Sequence, residues 1–503
     1  MKLTEGKVKR LYHNYKEKGA SLQNKGKYNQ ALLYWKVAAQ TAKIFGLDVY
    51  DGEIEERLVD MSRIIIEPRA SVIVNSHRCV FYDAHSRALG GLTQQYLRAI
   101  FQIGWDVLYI TEVSPEDSCF QPILKELNDA ENVSIVHVPQ KLRSTEKAQF
   151  LYDTIARFAP IRMFMHMHPD SVYAVVAFNA LPSSIEKFQI DYTDHAFWVG
   201  ASCTDYSFEF RTYGCNLSAS VRGIDESKIF LLPFYPIETS LPFQGFPFNQ
   251  EGKIVIFSGG SYYKVFDEND TYFKMCKAIL EISPNVVIAY AGMGFQTQME
   301  EKLETYGINE RFFLIGERQD LSAVYDKCDI YLNTYPVAGG LMCQYAARHA
   351  LPILSLYDGT VSKVEEVVCQ IKEQEISSNS LASLIEKAHK LIVDQAYRHT
   401  HGADIARCCI SPVQFRNAFV EAVKYKRQLF PYSIDKKFSG QRQGFGIKKM
   451  LISENHQKEY HRFVFKTLGW YLLFESPLMA LDALCSLFRQ KRVLSALKNN
   501  LIK

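Results

Sequence analysis

The sequence lacks the residue patterns that mark several classes of protein. Its 11 cysteines are spread singly apart from the adjacent pair Cys408-Cys409, and neither a CxxC pair nor a zinc-ligand spacing occurs. This argues against a disulfide-stapled scaffold and predicts a reducing, cytoplasmic compartment. The N-terminal residues are polar and lack a signal-peptide core. The most apolar long stretch, 467–488, is interrupted by acidic residues and a proline, which excludes a membrane span.

The sequence also lacks a large excess of charge of one sign. The 58 basic and 55 acidic residues leave a net charge of +3, too small an excess to predict a nucleic-acid partner. With 503 residues, of which 47% are hydrophobic, the chain is expected to form two or three soluble globular domains. An aromatic content of 13% suits clefts for ring-shaped ligands, although most aromatic residues simply fill cores.

Beyond residue 70, apolar β-branched runs alternate with helical segments. This alternation predicts parallel sheets with right-handed crossovers. Two such series, separated by a stretch rich in Pro, Gly and Phe, predict an α/β fold with two Rossmann-like domains facing across a cleft. Ligands should then bind at the carboxyl ends of the strands. The predicted strands are 79–82, 106–110, 133–138, 163–167 and 188–192, then 254–257, 286–290, 312–315, 330–332 and 353–356.

Helical segments flank the two series. The prefix carries Gly26, Lys27, Tyr28 and Ala31 in a pattern typical of one helix of a tetratricopeptide hairpin, but a single repeat cannot form a solenoid. A basic, aromatic stretch at 423–450 either contacts an anionic membrane surface or, more commonly for such a stretch, is a solvated face. The predicted division is a helical prefix (1–68), an acceptor-side Rossmann-like domain (69–236), a linker (237–252), a nucleotide-side domain (253–400) and a helical C-terminal region (401–503).

The most informative segment is 327–356, in which a strand leads through Pro336 to Gly339-Gly340 and then to a helix predicted from Met342 to His349. Missing side chains let backbone N–H groups approach a phosphate, and the helix N-terminus adds positive potential. A plain strand–turn–helix connection without a ligand explains the segment equally well.

Three further loops follow strands in the same half. Ser258-Gly259-Gly260 precedes Lys264, Gly292 follows the next strand, and Arg318 lies in the loop after the third. A lysine at the first position neutralises the charge that develops on a diphosphate leaving group; the alternative is an exposed lysine at a helix start. Main-chain atoms beside Arg318 are placed to read a nucleobase edge.

In the first half, histidines follow the ends of predicted strands. His85 precedes Gly90-Gly91 at a strand-to-helix turn, and His195 follows Asp194 after another strand. A neutral imidazole beside a carboxylate serves as a general base. Each of these histidines also has a structural alternative, and Asp194 and His195 point apart if the backbone is extended. No metal is predicted, because His166-x-His168 lacks a third ligand at a recognisable spacing.

Over roughly 76–400 the sequence resembles the GT-B glycosyltransferases. The phrase DIYLNTYPVAGGLMCQYAARHALPIL is similar to the strand, Pro, Gly-Gly, helix, Gly-x-Pro signature of glycosyltransferase family 4 and of the protein O-glycosylating and adhesin-glycosylating branch, with Ala350 in place of the last glycine.

The resemblance implies roles for individual residues. Gly339, Gly340 and Leu341 would cradle the sugar-nucleotide phosphates, and the loop at 258–260 with Lys264 would contact the diphosphate. Gly90-Gly91 would lie near the donor, and His195 would face the donor sugar. Gln344 stands where many family members have a glutamate that binds the ribose hydroxyls.

These features predict a metal-independent glycosyltransferase that uses a nucleoside-diphosphate sugar, most simply a UDP-sugar, with Lys264, His195 and His85 as catalytic candidates. The acceptor is open among glycan, lipid-linked sugar and protein. A non-catalytic partner subunit of the same fold is the alternative, motivated by Gln344 and the helical prefix. A sugar-nucleotide epimerase is the third hypothesis, but it would require paired carboxylates that the sequence does not show.

Overall fold

The computed structural model places 13 parallel strands in two sheets, surrounded by helices. It describes residues 3–69, 71–87, 91–294, 296–357, 359, 363–438 and 454–487. The strands are β1 Asn75–Asp83, β2 Asp106–Thr111, β3 Val133–His137, β4 Pro160–His166, β5 Glu186–Asp191, β6 Tyr206–Glu209, β7 Ile229–Leu231, β8 Ile254–Gly259, β9 Val286–Ala291, β10 Phe312–Leu314, β11 Ile330–Leu332, β12 Ile353–Leu356 and β13 Ser377–Ser378.

Helices precede, separate and follow these strands. Their bounds are α1 Glu5–Asn24, α2 Tyr28–Phe45, α3 Gly52–Ile65, α4 Leu92–Phe101, α5 Gln121–Asn128, α6 Ser144–Phe158, α7 Val172–Asn179, α8 Thr212–Ser220, α9 Thr271–Ile282, α10 Gln296–Thr305, α11 Leu321–Tyr325, α12 Gly340–Arg348, α13 Glu365–Val368, α14 Leu381–Val393, α15 Gln395–Ala406, α16 Pro412–Tyr425, α17 Glu454–Leu468 and α18 Tyr471–Glu475. A further helical stretch occupies 477–487. Among the described helices, none is long and apolar enough to cross a membrane.

The two sheets repeat one topology. The first has the order β3-β2-β1-β4-β5-β6-β7, and the second has β10-β9-β8-β11-β12-β13. In each, the strand order reverses beside the first strand, between β1 and β4 and between β8 and β11. Loops diverge at such a switch point and leave a crevice at the carboxyl ends of the strands. We call the parts built on these sheets the first half and the second half.

The helical prefix is fixed to the first half. Buried Glu55 in α3 accepts hydrogen bonds from the N–H groups of Gly200 and Ser202, at 2.7 and 3.0 Å. The C-terminal helix α17 covers the other side of the prefix, where Tyr460 packs edge-on against Phe45 at 4.9 Å between ring centroids. The prefix is therefore continuous with the core of the first half.

Helix α16 returns to the first half after the chain has completed the second. Phe415 and Phe419 pack against Tyr96 of α4, and Phe419 also contacts Phe164 and Phe208 of the sheet. The segment between the halves, 233–253, has no helix or strand. It lies against the second half, where buried Asp320 accepts a hydrogen bond from Gln244 N–H at 2.8 Å. The domain boundaries drawn from the sequence stay predictions.

The fold class is confirmed: two parallel α/β sheets with a helical prefix and helical C-terminal segments. The ten predicted strands are present with ends shifted by up to four residues, and α12 begins at Gly340 where the sequence predicted Met342. Three short strands were missed: β6, which lies between β5 and β7, and the edge strands β7 and β13. They have two to four residues, which is too short for a hydrophobic period to stand out.

Candidate functional site

In the second half, the loops after β8, β9 and β10 are joined by backbone hydrogen bonds. Gly260 N–H donates to Ala291 O at 2.8 Å, and Gly292 N–H donates to Gly316 O at 2.8 Å. Tyr262 N–H donates to Met293 O at 3.0 Å. The strand-end loops that the sequence picked out separately therefore form one surface.

Glycine is required at two points of this surface. Gly260 has a φ of +138°, which L side chains rarely adopt. A Cβ on Gly292 would lie 2.1 Å from Gly260 O, so a side chain there would force the loops apart. Phosphate binding is thus not needed to explain these two glycines, since packing of backbone on backbone already demands them.

The loop after β11 joins the same surface. Val337 N–H donates to Lys264 O at 3.2 Å, which ties it to the short helical turn Tyr262–Val265. Asn333 accepts from Gly339 N–H at 2.9 Å and sets the start of α12. Gly339 is the N-cap of α12, and no side chain caps it. The N–H groups of the first turn, including those of Gly340 and Leu341, are therefore open to an anion.

The ammonium group of Lys264 lies near this helix start. It lies within electrostatic range of the Cys343 thiol in the first turn of α12. The side chain is half-buried, and burial lowers the pKa of Lys264. Across the described ranges, no carboxylate pairs with Lys264. A desolvated ammonium and a helix N-terminus without a counter-charge together favour a bound anion.

Arg318 is engaged within the protein. Its guanidinium makes two hydrogen bonds to Asp320, at 2.7 and 2.6 Å, and a third to Gly245 O at 2.8 Å. The side chain therefore anchors the interdomain segment. A nucleobase contact in this loop would fall to main-chain atoms and stays a prediction.

Gln344 is buried, and both of its amide donors are occupied. Nε2 donates to Phe234 O at 2.7 Å and to Val367 O at 2.8 Å, while Oε1 has no hydrogen-bond partner in the described structure. The side chain joins α12 to the segment between the halves and to α13. The predicted ribose contact remains untested, and it would require these bonds to be exchanged.

In the first half, three histidine rings cluster at the carboxyl end of β4. The His85 ring centroid lies 3.9 Å from that of His168 and 4.7 Å from that of His166. Tyr192 OH is 3.1 Å from His85 Nε2, and Met167 O is 3.2 Å from the same atom. Burial, reinforced by the other two histidines, lowers the pKa of His85 to about 2. His85 is thus a neutral, nearly enclosed group.

The cluster is organised by Asp83, the last residue of β1. Its carboxylate accepts hydrogen bonds from Thr93 Oγ1 at 2.9 Å and Tyr109 OH at 2.8 Å, and His166 Nδ1 lies 3.1 Å away. Burial opposes ionisation of Asp83, but the charge and hydrogen bond of His166 outweigh it and lower the pKa of the carboxyl. Sequence reasoning missed Asp83, although an aspartate that ends an apolar strand is itself a signal.

His195 lies on a turn after β5, with its side chain 42% exposed. Its Nδ1 is 3.3 Å from Asp194 Oδ1. The two residues therefore do meet, because the turn removes the alternation that an extended backbone would impose. Arg211 donates a hydrogen bond to the Asp194 carboxylate and fixes its position. Sequence reasoning missed this arginine because it lies 17 positions further along the chain.

Three carboxylates and two arginines are buried behind His195. Arg222 Nη1 is 3.0 Å from Asp191 Oδ2, and Arg222 also donates to the carbonyls of Asp194 and Ala196. Glu209 accepts hydrogen bonds from two serine hydroxyls, and burial raises its pKa well above the usual value. This network holds the backbone turn that carries His195.

The halves meet beside these groups. A Cβ on Gly91, whose φ is +88°, would lie 2.4 Å from Ile237 Cγ1, and Ile237 O accepts a hydrogen bond from Tyr345 OH of α12 at 2.6 Å. Glu366 of α13 lies within electrostatic range of Arg211 and Asp194.

Gly90 lies outside the described residues. Within the described ranges, no group of three or more His, Cys, Asp or Glu side chains is placed to hold a metal ion.

No protein-family model and no curated protein match this sequence. Solved structures do match. A mutant form of an O-GlcNAc transferase from Thermobaculum terrenum aligns with a TM-score of 0.54 and 17% identity, covering 84% of this chain and 81% of that one. HepE of Anabaena, in complex with UDP and glucose, aligns with a TM-score of 0.52 and 12% identity, covering 69% of this chain and all of that one.

A Listeria monocytogenes protein provisionally described as a UDP-N-acetylglucosamine 2-epimerase aligns with a TM-score of 0.50 and 13% identity, over 72% of this chain and all of that one. These likenesses establish that the chain has the GT-B fold. Since a transferase and an epimerase share that fold, the fold alone does not select the reaction.

Proposed function

We propose that this chain is a glycosyltransferase that moves a sugar from a nucleoside-diphosphate sugar to a glycan, a lipid-linked sugar or a protein side chain. The observation that carries the proposal is half-buried Lys264, whose ammonium group lies near the uncapped start of α12 without a carboxylate partner among the described residues. A diphosphate is the ligand that this charge distribution fits. UDP in the HepE structure supports a UDP-sugar as the donor.

In the proposed reaction, an acceptor hydroxyl attacks the anomeric carbon and the bond from that carbon to the diphosphate oxygen breaks. The bonding electrons leave with the diphosphate, where Lys264 and the N–H groups at Gly340 and Leu341 stabilise the new charge. The hydroxyl proton passes to a base, for which His195 is the proposed group. Asp194 orients its imidazole, whereas enclosed His85 is proposed to orient substrate.

Within the GT-B fold, we place the chain beside glycosyltransferase family 4 and the protein O-glycosylating branch. The Gly339-Gly340 phrase supports this placement, and so does the helical prefix packed on the first half. We also propose that no metal is required, because Lys264 and α12 supply the positive charge that a divalent cation would otherwise provide.

A non-catalytic partner subunit is the second candidate, and Gln344 favours it. Both amide donors are bound to backbone carbonyls, so a ribose contact would come at the expense of the bonds that join α12 to the segment between the halves and to α13. Such a protein would bind a nucleotide weakly and would neither hydrolyse nor transfer the sugar. The epimerase hypothesis is less favoured, because the buried carboxylates Asp191 and Asp194 are each bound to an arginine.

Peripheral membrane contact on the cytoplasmic side is a further part of the proposal. Four large apolar side chains near the C-terminus are exposed: Trp470 (72%), Tyr471 (46%), Leu478 (65%) and Leu481 (54%). Tryptophan and tyrosine favour the headgroup region of a bilayer. The basic stretch 423–450 is described only as far as residue 438. Co-sedimentation with vesicles containing phosphatidylglycerol is expected, and its loss in W470S/L478S would assign the contact to these residues.

The test of the central proposal is a thermal-shift titration with UDP, GDP, ADP and CMP, each with and without EDTA. A ligand that binds only the native state adds about 2.7 kcal/mol of stability at a concentration 100 times its Kd. We expect one nucleoside diphosphate, UDP first, to raise the melting temperature regardless of EDTA. Absence of a shift with every nucleotide would contradict the proposal. A shift without sugar hydrolysis or transfer would favour the partner subunit.

A further inference from the structure

One face of prefix helix α2 is polar although most of the helix is buried. Asn29, Lys36, Gln40 and Lys43 recur at spacings of seven, four and three residues, which places them on the same side of the helix. Ala38, on the opposite side, is fully buried in the core. This polar face is directed at the loop between β4 and α7, where Lys36 Nζ lies 3.7 Å from Asp170 Oδ2.

Three lysine ammonium groups converge there. Lys36 and Lys43 come from α2, and both lie within electrostatic range of the His168 ring. Lys147 comes from the first turn of α6, with its Nζ 5.6 Å from the centre of the Tyr173 ring. Lys147 and Lys36 repel each other. The three positive charges come from two different helices, so the fold and not a local sequence run brings them together.

The carboxylates nearby do not balance these charges. Asp170 and Glu112 are the acidic groups that face the lysines, and Glu112 also accepts a hydrogen bond from Tyr82 OH. Among the described residues, neither Lys43 nor Lys147 forms an ion pair. Burial lowers the pKa of both side chains despite the attraction of Asp170 and Glu112. The cluster, defined as Lys36, Lys43 and Lys147, therefore has three cationic groups against two carboxylates, and Lys43 and Lys147 are its partly desolvated members.

Two side-chain amides on the same helix face have an oxygen that is not hydrogen-bonded within the described structure. Gln40 Oε1 and Asn29 Oδ1 are buried and have no hydrogen-bond partner within the described structure. Gln40 lies between Lys36 and Lys43 on the helix surface. Rotation of its amide by half a turn presents N–H donors in place of the oxygen. A buried amide on the same helix face as Lys36 and Lys43 is suited to help bind an oxyanion.

The lysine cluster opens toward the ligand-binding edge of the first sheet. His168, which lies within electrostatic range of Lys36 and Lys43, packs against His85 with tilted rings, 3.9 Å apart between centroids. His85 follows the end of β1, beside the switch point between β1 and β4. An anion held by the lysines would thus lie against the histidine cluster, on the side where the prefix covers the sheet.

We infer that Lys36, Lys43 and Lys147, with Gln40, bind a phosphate group, and that this phosphate belongs to the acceptor. The assignment to the acceptor rests on the proposed glycosyl transfer, whereas the phosphate site itself does not. The helical prefix then completes the acceptor side of the active site, since two of the three lysines lie on α2. An acceptor without a phosphate would leave these charges uncompensated.

The test is a thermal-shift titration of the full chain with inorganic phosphate, and with citrate as a carboxylate probe, at constant ionic strength. We expect phosphate to raise the melting temperature of the wild type, and K36M/K43M to need at least ten-fold more phosphate for the same shift. K147M, on a different helix, should behave likewise. K25M removes one exposed charge from the end of α1 and should match the wild type.

Four outcomes decide the matter. An unchanged phosphate response in both K36M/K43M and K147M would overturn the site, and citrate binding as tightly as phosphate would overturn its phosphate specificity. Retention of the UDP shift in K36M/K43M separates this site from the diphosphate site, because a K264M variant is expected to show the reverse pattern. Tighter binding of farnesyl monophosphate than of glycerol 3-phosphate would identify a lipid-linked acceptor; the reverse order would identify a soluble one.

Discussion

The guanidinium of Arg211 binds both carboxylate oxygens of Asp194, with Nε 2.6 Å from Oδ2 and Nη2 2.7 Å from Oδ1. Asp194 in turn faces His195. Both members of the ion pair are buried, and the histidine is the partly exposed end of the series. The pair lies in the first half, yet Glu366 of the second half is within electrostatic range of it. It therefore positions His195 and marks the contact between the halves.

D194N is expected to destabilise the protein and to impair His195. Loss of the carboxylate leaves the Arg211 charge buried without a bidentate partner, at a cost of about 3–5 kcal/mol. Urea denaturation measures this change, and the matched variant H195A should unfold at nearly the wild-type midpoint while losing transfer activity. If D194N unfolds like the wild type, the ion pair contributes nothing to holding the turn.

K264M is expected to reduce sugar transfer about 100-fold, the usual effect of removing one group that stabilises developing negative charge. The melting temperature should stay the same or rise, because the lysine is half-buried and lacks a carboxylate partner among the described residues. K274M, which removes an exposed lysine of α9, is the matched control. If K264M transfers sugar at a rate near that of the wild type, the proposal that Lys264 stabilises the leaving diphosphate is wrong.

G292A is expected to destabilise the second half by about 2 kcal/mol, the cost of inserting a methyl group into packed structure. Its Cβ would lie 2.1 Å from Gly260 O, and the loops after β8 and β9 would have to separate. UDP binding should weaken in parallel, since the same loops form the proposed site. G6A places a methyl group in open space on α1, where helix propensity favours alanine, and is expected to be neutral or slightly stabilising. Equal stability of G292A and the wild type would show that these loops adjust freely.

The buried carboxyl of Glu209 predicts a pH-dependent stability. Burial raises the pKa of Glu209 in the folded state well above its usual value near 4.5, so the folded protein favours the protonated form. Below about pH 4.5 the group is protonated in both states and has no effect; as the pH rises further, only the unfolded state ionises freely and stability is lost. E209Q should remove this loss, so its melting temperature relative to the wild type should increase from pH 5 to pH 8. E304Q, an exposed control, should show no such trend. A constant difference between E209Q and the wild type across this range would mean that Glu209 is ionised in the folded protein.

Periodicity predicted the long central strands because buried parallel strands are continuous apolar runs. Val286–Ala291 and Met163–Met165 are examples, and both lie within strands that have neighbours on each side. The edge strand Ser377–Ser378 has no hydrophobic signal, since its two polar residues are strand only through pairing with Ser355 and Leu356. Whether such a short edge segment forms a strand thus depends on the strand with which it pairs.

The sequence by itself determined the α/β alternation, the doubled Rossmann-like architecture and the position of glycines and histidines after strands, because hydrophobic period and turn residues are local properties. It did not reveal that the side chains of Arg318 and Gln344 already donate hydrogen bonds to a carboxylate or to backbone carbonyls. It also did not reveal that Asp83 organises the histidine cluster. Nor did it show that two lysines of α2 lie beside His168, or that Lys147 of α6 lies near Lys36. Each of these depends on residues that are distant in the chain and adjacent in space, and only tertiary structure fixes such distances, on which electrostatic and hydrogen-bond energies depend.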